Sequence, residues 1–157
     1  MLKIVLILLA VAFIGAQFFR PPKNEGGDSH SGFLAKFAVP ADVEDILRTS
    51  CFDCHSNTTR YPWYAEIQPA GWFLNQHIVD AKRHLNFSQF DKYRVRLQHH
   101  KLEEIVDQVE AGEMPLPSYT LLHWDAKLSA GKRERLIAWV NAQRKALEEI
   151  YPDSLGL

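Results

Sequence analysis

The only two cysteines of this 157-residue chain stand three apart, in Cys51-Phe52-Asp53-Cys54-His55. That step places both thiols on one side of a helical turn, where each can add to a vinyl group of a haem and form a thioether. His55 follows directly, so its imidazole can reach the iron from the proximal side as an axial ligand. The ligating atom is expected to be the ring nitrogen far from the backbone, with the other N–H held by an acceptor. Cys51, Cys54 and His55 are therefore read as the residues that hold one covalently attached haem c. Three plainer readings use the same side chains. A Cys51–Cys54 disulfide would close too small a loop to stabilise the chain much. A thioredoxin-like redox pair needs a βαβ setting, and zinc needs two further ligands from scattered histidines or carboxylates.

A haem iron held by His55 has a sixth position to fill. Met114 is the only methionine besides the initiator, and it lies in Gly112-Glu113-Met114-Pro115-Leu116-Pro117. Two prolines stiffen that loop and could aim the sulfur at the haem. A thioether favours ferrous iron and raises the potential, which suits electron transfer. Met114 is the distal candidate, against the alternative that it fills a gap in the core. His77 and His84, seven residues apart on a predicted helix, are the other distal candidates and would give bis-His ligation. No ligand role is assigned to His30, His99, His100 or His123.

The elements that must position these residues are helical. Val43, Ile46 and Leu47 share one face of a helix that runs into Cys51. A second helix starts near Pro69 with Leu74, Ile78, Ala81 and Leu85 inward. Leu102, Ile105, Val106 and Val109 mark a third that stops at Gly112 in a left-handed turn. A fourth starts near Ser129, carries Leu136, Ile137, Val140, Leu147 and Ile150, and ends before Pro152. Loops are expected at about 56–68, 86–99 and 112–128, and no run of alternating β-branched residues reads as a strand. The aromatics Trp63, Tyr64, Trp72, Phe73, Phe87, Trp124 and Trp139 are expected to line the haem pocket and core. The domain is read as all-α.

Residues 1–19 are read apart from that domain. After Lys3, Ile4 to Ala16 are uncharged and almost all apolar, ahead of Arg20 and two prolines. This is a membrane anchor or a signal segment, short for a span and lacking a tidy cleavage site. Residues 20–39, rich in Pro, Gly, Ser and charge, read as a flexible linker. The domain proper is expected at 40–151, with a tail at 152–157. Apolar residues are 46% and charged residues 24%, and 18 Lys plus Arg face 19 Asp plus Glu. That balance fits one folded domain, excludes a disordered or polytopic chain, and lacks the basic excess that nucleic acid would require. No Ser/His/Asp set, phosphate-cradling loop or carboxylate pair suggests an enzyme.

Cys51 to His55, the Gly112 to Pro115 segment and a last helix carrying Leu136-Ile137-Ala138-Trp139 together resemble a monohaem cytochrome c domain. More closely, VPADVEDILRTSCFDCHSN, YPWY at Tyr61 to Tyr64, LNFS at Leu85 to Ser88 and GEMP resemble a bacterial family of small membrane-anchored haem-binding domain proteins, over roughly residues 39–141. The resemblance implies a cytochrome c-like helical domain around one haem c, with His55 proximal. It also implies electron transfer with redox protein partners, as a monomeric soluble domain facing the periplasm, tethered to the membrane or released there. The distal role of Met114 carries over from the broader cytochrome c pattern, from which the long Trp-rich stretch after the haem motif departs. A haem-based ligand sensor or small haem peroxidase, with an open or labile distal position, is the alternative.

Overall fold

Apolar residues at helical spacing form the main helices of the computed structural model, which describes residues 1–27 and 30–156. In chain order these are α1 (Leu2–Ala16), α2 (Ser31–Lys36), α3 (Ala41–Ser50), α4 (Phe52–His55), α5 (Ala70–His84), α6 (Val95–Glu110), α7 (Pro117–Thr120), α8 (Ala130–Ile150) and α9 (Pro152–Leu155). Single 3-10 turns occupy Trp63–Glu66, Phe87–Lys92 and Trp124–Ala126. Among the described residues the only β pairing is an isolated bridge between Glu25 and Thr58. The all-helical reading therefore holds for the described residues.

The centre of the fold is α6 against α8, with α3 across α8 and α4 between α3 and α5. Val43, Ile46 and Leu47 of α3, Leu102, Val106 and Val109 of α6, and Leu136, Trp139, Val140 and Leu147 of α8 all face one core. Each such large side chain stabilises the fold by about 1.5–3 kcal/mol when fully withdrawn from water. The ends of these helices follow local chemistry. Ser129 Oγ accepts the N–H of Lys132 and caps α8. Gly112 takes φ +74° beyond α6, and the N–H groups of Glu113 and Met114 both turn back to the Gln108 carbonyl.

Four expectations are corrected. Of the linker at 20–39, Asp28 and Ser29 lie outside the described residues, but its last part folds as α2 on the Phe87–Lys92 turn. Phe33 there is fully buried, with ring contacts to Phe37, Phe87, Phe90 and Trp139. Its first part is tied down as well: Asn24 accepts Thr59 N–H on its carbonyl and donates its side-chain amide to Ser56 O and Thr59 Oγ1. α6 begins at Val95, seven residues before the apolar pattern does, because Gln98 continues the inward stripe. Its amide is buried and donates to the carbonyls of Phe90 and Tyr93. Trp63, Trp72, Phe73 and Trp124 are exposed, whereas Phe87 and Trp139 are core. The tail at 152–157 holds α9 up to Leu155, and Leu157 lies outside the described residues.

α1 buries none of its residues. Fifteen residues of helix reach about 22 Å, against roughly 30 Å of bilayer hydrocarbon. Among the described residues no helix is long and apolar enough to cross a membrane.

Candidate functional site

Cys51 ends α3 and α4 carries Phe52 to His55, so the motif lies on a single short turn at a helix junction. The N–H groups of Cys54 and His55 both point back to the Cys51 carbonyl, at 3.2 and 2.9 Å. Both cysteines are free thiols. Burial pushes their acidity down, to a pKa of about 12 for Cys51 and about 11 for Cys54. A thioredoxin-like pair needs a thiol shifted the other way, towards thiolate. Among the described residues no group of three or more His, Cys, Asp or Glu is placed to hold a metal ion, which leaves zinc without its further ligands.

The His55 ring is oriented by the main chain. Nδ1 lies 3.0 Å from the carbonyl of Leu85. A carbonyl only accepts, so Nδ1 carries the proton and Nε2 is left as the lone-pair nitrogen. Burial lowers the proton affinity of this imidazole, outweighing the carbonyls of Leu85 and Ala81, which raise it. A neutral ring with free Nε2 is the form that binds iron.

Residues 85–88 all serve the motif, a role that only the resemblance hinted at. Leu85 supplies the carbonyl to His55, and the Phe87 ring meets those of Phe52 at 5.1 Å and His55 at 6.5 Å. Asn86 donates its amide to Asn57 Oδ1, and Ser88 Oγ accepts the Asn57 N–H. Asn57 and Asn86 are thus paired with each other, with Asn86 buried.

Asp53, inside the motif, organises a second set of contacts. Arg60 Nε and Nη2 each donate to its carboxylate at 3.1 Å, and Arg60 Nη2 also reaches the Arg48 carbonyl. Tyr119 of α7 donates its hydroxyl to Asp53 Oδ2 at 3.0 Å, and burial first, then Asp53, pushes that phenol's pKa up. His123 stacks on Tyr119 with ring centroids 4.1 Å apart, and its Nε2 lies 2.8 Å from the Tyr64 hydroxyl. No sequence signal marks this set, because its members come from two irregular stretches, 53–64 and 119–123, that are far apart in the chain.

Met114 is half-buried three residues before α7, so Tyr119 ties the short helix that follows the Met114-Pro115 loop to the haem motif. His77 sits on α5 with Nδ1 2.8 Å from the Phe73 carbonyl and its ring against Phe73. His84 is exposed at the end of α5. The residues fit a haem: two free thiols on one turn, an imidazole presenting Nε2, and exposed Trp63, Leu121, Leu122 and Trp124 on the turns that carry Tyr64 and His123.

A family model described as a haem-binding domain matches residues 11–142. The chain belongs to the haem-binding domain family. No curated protein and no solved structure matches it. The haem-binding domain begins inside α1 and so takes in the segment from Arg20 to Val39, as the packing of Asn24 and Phe33 does. It ends within α8, after the buried Trp139 and Val140.

Proposed function

We propose that this haem-binding domain is a monohaem c-type cytochrome that transfers electrons on the exported side of a membrane. The observation that carries the reading is His55 Nδ1 locked to the Leu85 carbonyl, beside two free thiols spaced for thioethers on one turn. Cys51 and Cys54 would hold the haem covalently, His55 Nε2 would bind the iron, and Met114 is the distal ligand favoured by its loop. Bound haem supplies one-electron exchange between ferrous and ferric iron. The chain's own part is to fix the imidazole tautomer through Leu85, to brace the ring with Phe87, and to hold α7 against Asp53 through Tyr119. The apolar α1, exposed on every side, supports a role as export or anchoring segment.

The test is a reduced-minus-oxidised visible spectrum of protein matured with haem-attachment machinery, together with alkylation of the cysteines. Covalent haem and no reactive thiol are expected, and the weak sulfur-to-iron band in the near infrared should vanish in Met114→Ala. Two freely alkylated cysteines sink the reading. A ferrous spectrum that changes fully and rapidly with carbon monoxide replaces electron transfer with ligand sensing or peroxidase chemistry.

A further inference from the structure

The foot of α1 is joined to the domain by contacts that a free tether does not make. Gln17, the residue after the helix, exchanges hydrogen bonds with Gln68: its Nε2 donates to the Gln68 carbonyl at 3.2 Å, and Gln68 N–H donates to its Oε1 at 2.9 Å. Trp72 Nε1 donates to the Phe19 carbonyl at 2.6 Å, and Arg20 and Lys23 both pair with Glu66, at 2.5 and 2.8 Å. From there the chain stays on the domain, since Asn24 N–H donates to Tyr61 Oη and Gly26 N–H to the Asn57 carbonyl.

Around this joint the surface is apolar. Phe18 and Phe19 are 83% and 72% exposed, and Trp72 and Phe73 at the start of α5 are 41% and 59% exposed, with Ile67 beside Gln68 at 41%. Each is one residue from, or part of, the hydrogen-bonded joint. The patch is continuous through the backbone with α1, which beyond Lys3 is apolar around its whole circumference and so has no polar side to leave in water. One protein groove covers one face of a helix, whereas lipid covers every face. Aromatic residues collect where hydrocarbon meets water, with cations just outside, and the order here is aliphatic helix, Phe18-Phe19 with Trp72 and Phe73, then Arg20 and Lys23.

We propose that the aromatic patch of Phe18, Phe19, Ile67, Trp72 and Phe73 lies on the lipid bilayer surface, so that the haem-binding domain is seated on the membrane instead of swinging from it. The occupant is the headgroup–acyl boundary of a bilayer. Glu66 pairs with both nearby cations and cancels one of their two charges, so the contact is held mainly by apolar burial and largely resists salt. This rests on the anchoring role given to α1.

The test reconstitutes the full haem-loaded chain in vesicles of phosphatidylethanolamine and phosphatidylglycerol that carry a lipid with a photoactivatable diazirine near the headgroup. Label is then mapped by peptide mass spectrometry. The expected result is label on α1 and on the peptide holding Ile67, Trp72 and Phe73, with none on that holding Leu121, Leu122 and Trp124. The label at 67–73 should persist in high salt and be lost in Gln17→Ala/Trp72→Ala, while that on α1 remains. Label on α1 alone overturns the seating and leaves the anchor standing. Failure of the protein to float with the vesicles overturns the anchor itself, and with it the seating.

Discussion

Replacing Phe33 with alanine tests whether the segment before residue 40 belongs to the core. Phe33 is fully buried and touches four other aromatic rings, with centroids 4.8 Å away for Phe87, 5.1 Å for Phe37 and Phe90, and 6.1 Å for Trp139. A buried Phe→Ala change costs about 3–5 kcal/mol, and ring pairs that each contribute about 0.5–1.5 kcal/mol put Phe33 at the upper end. Against a domain stability of about 5–15 kcal/mol that is a large fraction. With a urea slope of about 2 kcal/mol/M, the midpoint should fall by about 2 M, measured by far-ultraviolet circular dichroism on the haem-loaded protein. The damage should reach the site, because Phe33 supports Phe87, and Phe87 supports Phe52 and His55. Haem incorporation should drop alongside stability. A shift below about 0.5 M, or a chain starting at residue 40 that melts like one starting at residue 20, would refute the argument.

Other variants probe separate contacts. A Cβ at Gly71 would strike the Ala65 carbonyl and the Gln68 amide, so Gly71→Ala should cost about 1–3 kcal/mol in a urea melt. Tyr119→Phe removes one hydrogen bond to Asp53, so about 1 kcal/mol of stability should go. The near-infrared sulfur-to-iron band should weaken with it if α7 holds the Met114 loop in place, and an unchanged band removes that role. Burial lowers the proton affinity of His30, which stacks on Phe52, and neighbouring Arg48 lowers it further. The unfolded chain then binds more protons than the folded one below the ordinary histidine pKa of 6.5, so this share of stability is complete above that pH and declines as the solution is acidified. Melts at pH 7 and pH 5 should show a smaller loss in His30→Gln than in the parent protein.

Periodicity was enough to find α3, the C-terminal two-thirds of α6 and α8, because each presents three or more aliphatic residues to one core, and α5, which buries Leu74 and Ile78 one turn apart. It failed where burial uses other chemistry. Gln98 points inward because it satisfies two carbonyls at the end of a 3-10 turn, and a hydropathy pattern reads that position as loop. α2 has six residues, and turn formers precede it, so no helical period long enough to read marks Phe33 and Phe37. At the site, the grouping of Cys51, Cys54 and His55 is legible from their spacing, since one short turn supplies all three side chains. The partners of that turn do not show in its spacing: Tyr119 lies 66 residues from Asp53, and Leu85 acts through its backbone, which no side-chain pattern encodes.

That last feature bears on how such a centre can vary. A carboxylate or amide partner to His55 could be deleted by one substitution, and the ring would lose its tautomer. A peptide carbonyl survives every substitution at position 85 that keeps the chain on course, so the tautomer of the His55 ring is shielded from point mutation. The contact can still be adjusted in small steps, by whatever shifts the C-terminal end of α5 towards or away from the imidazole. Residues on the far side of that helix thereby become a means of adjusting the His55 ring, and in the proposed cytochrome the iron's potential.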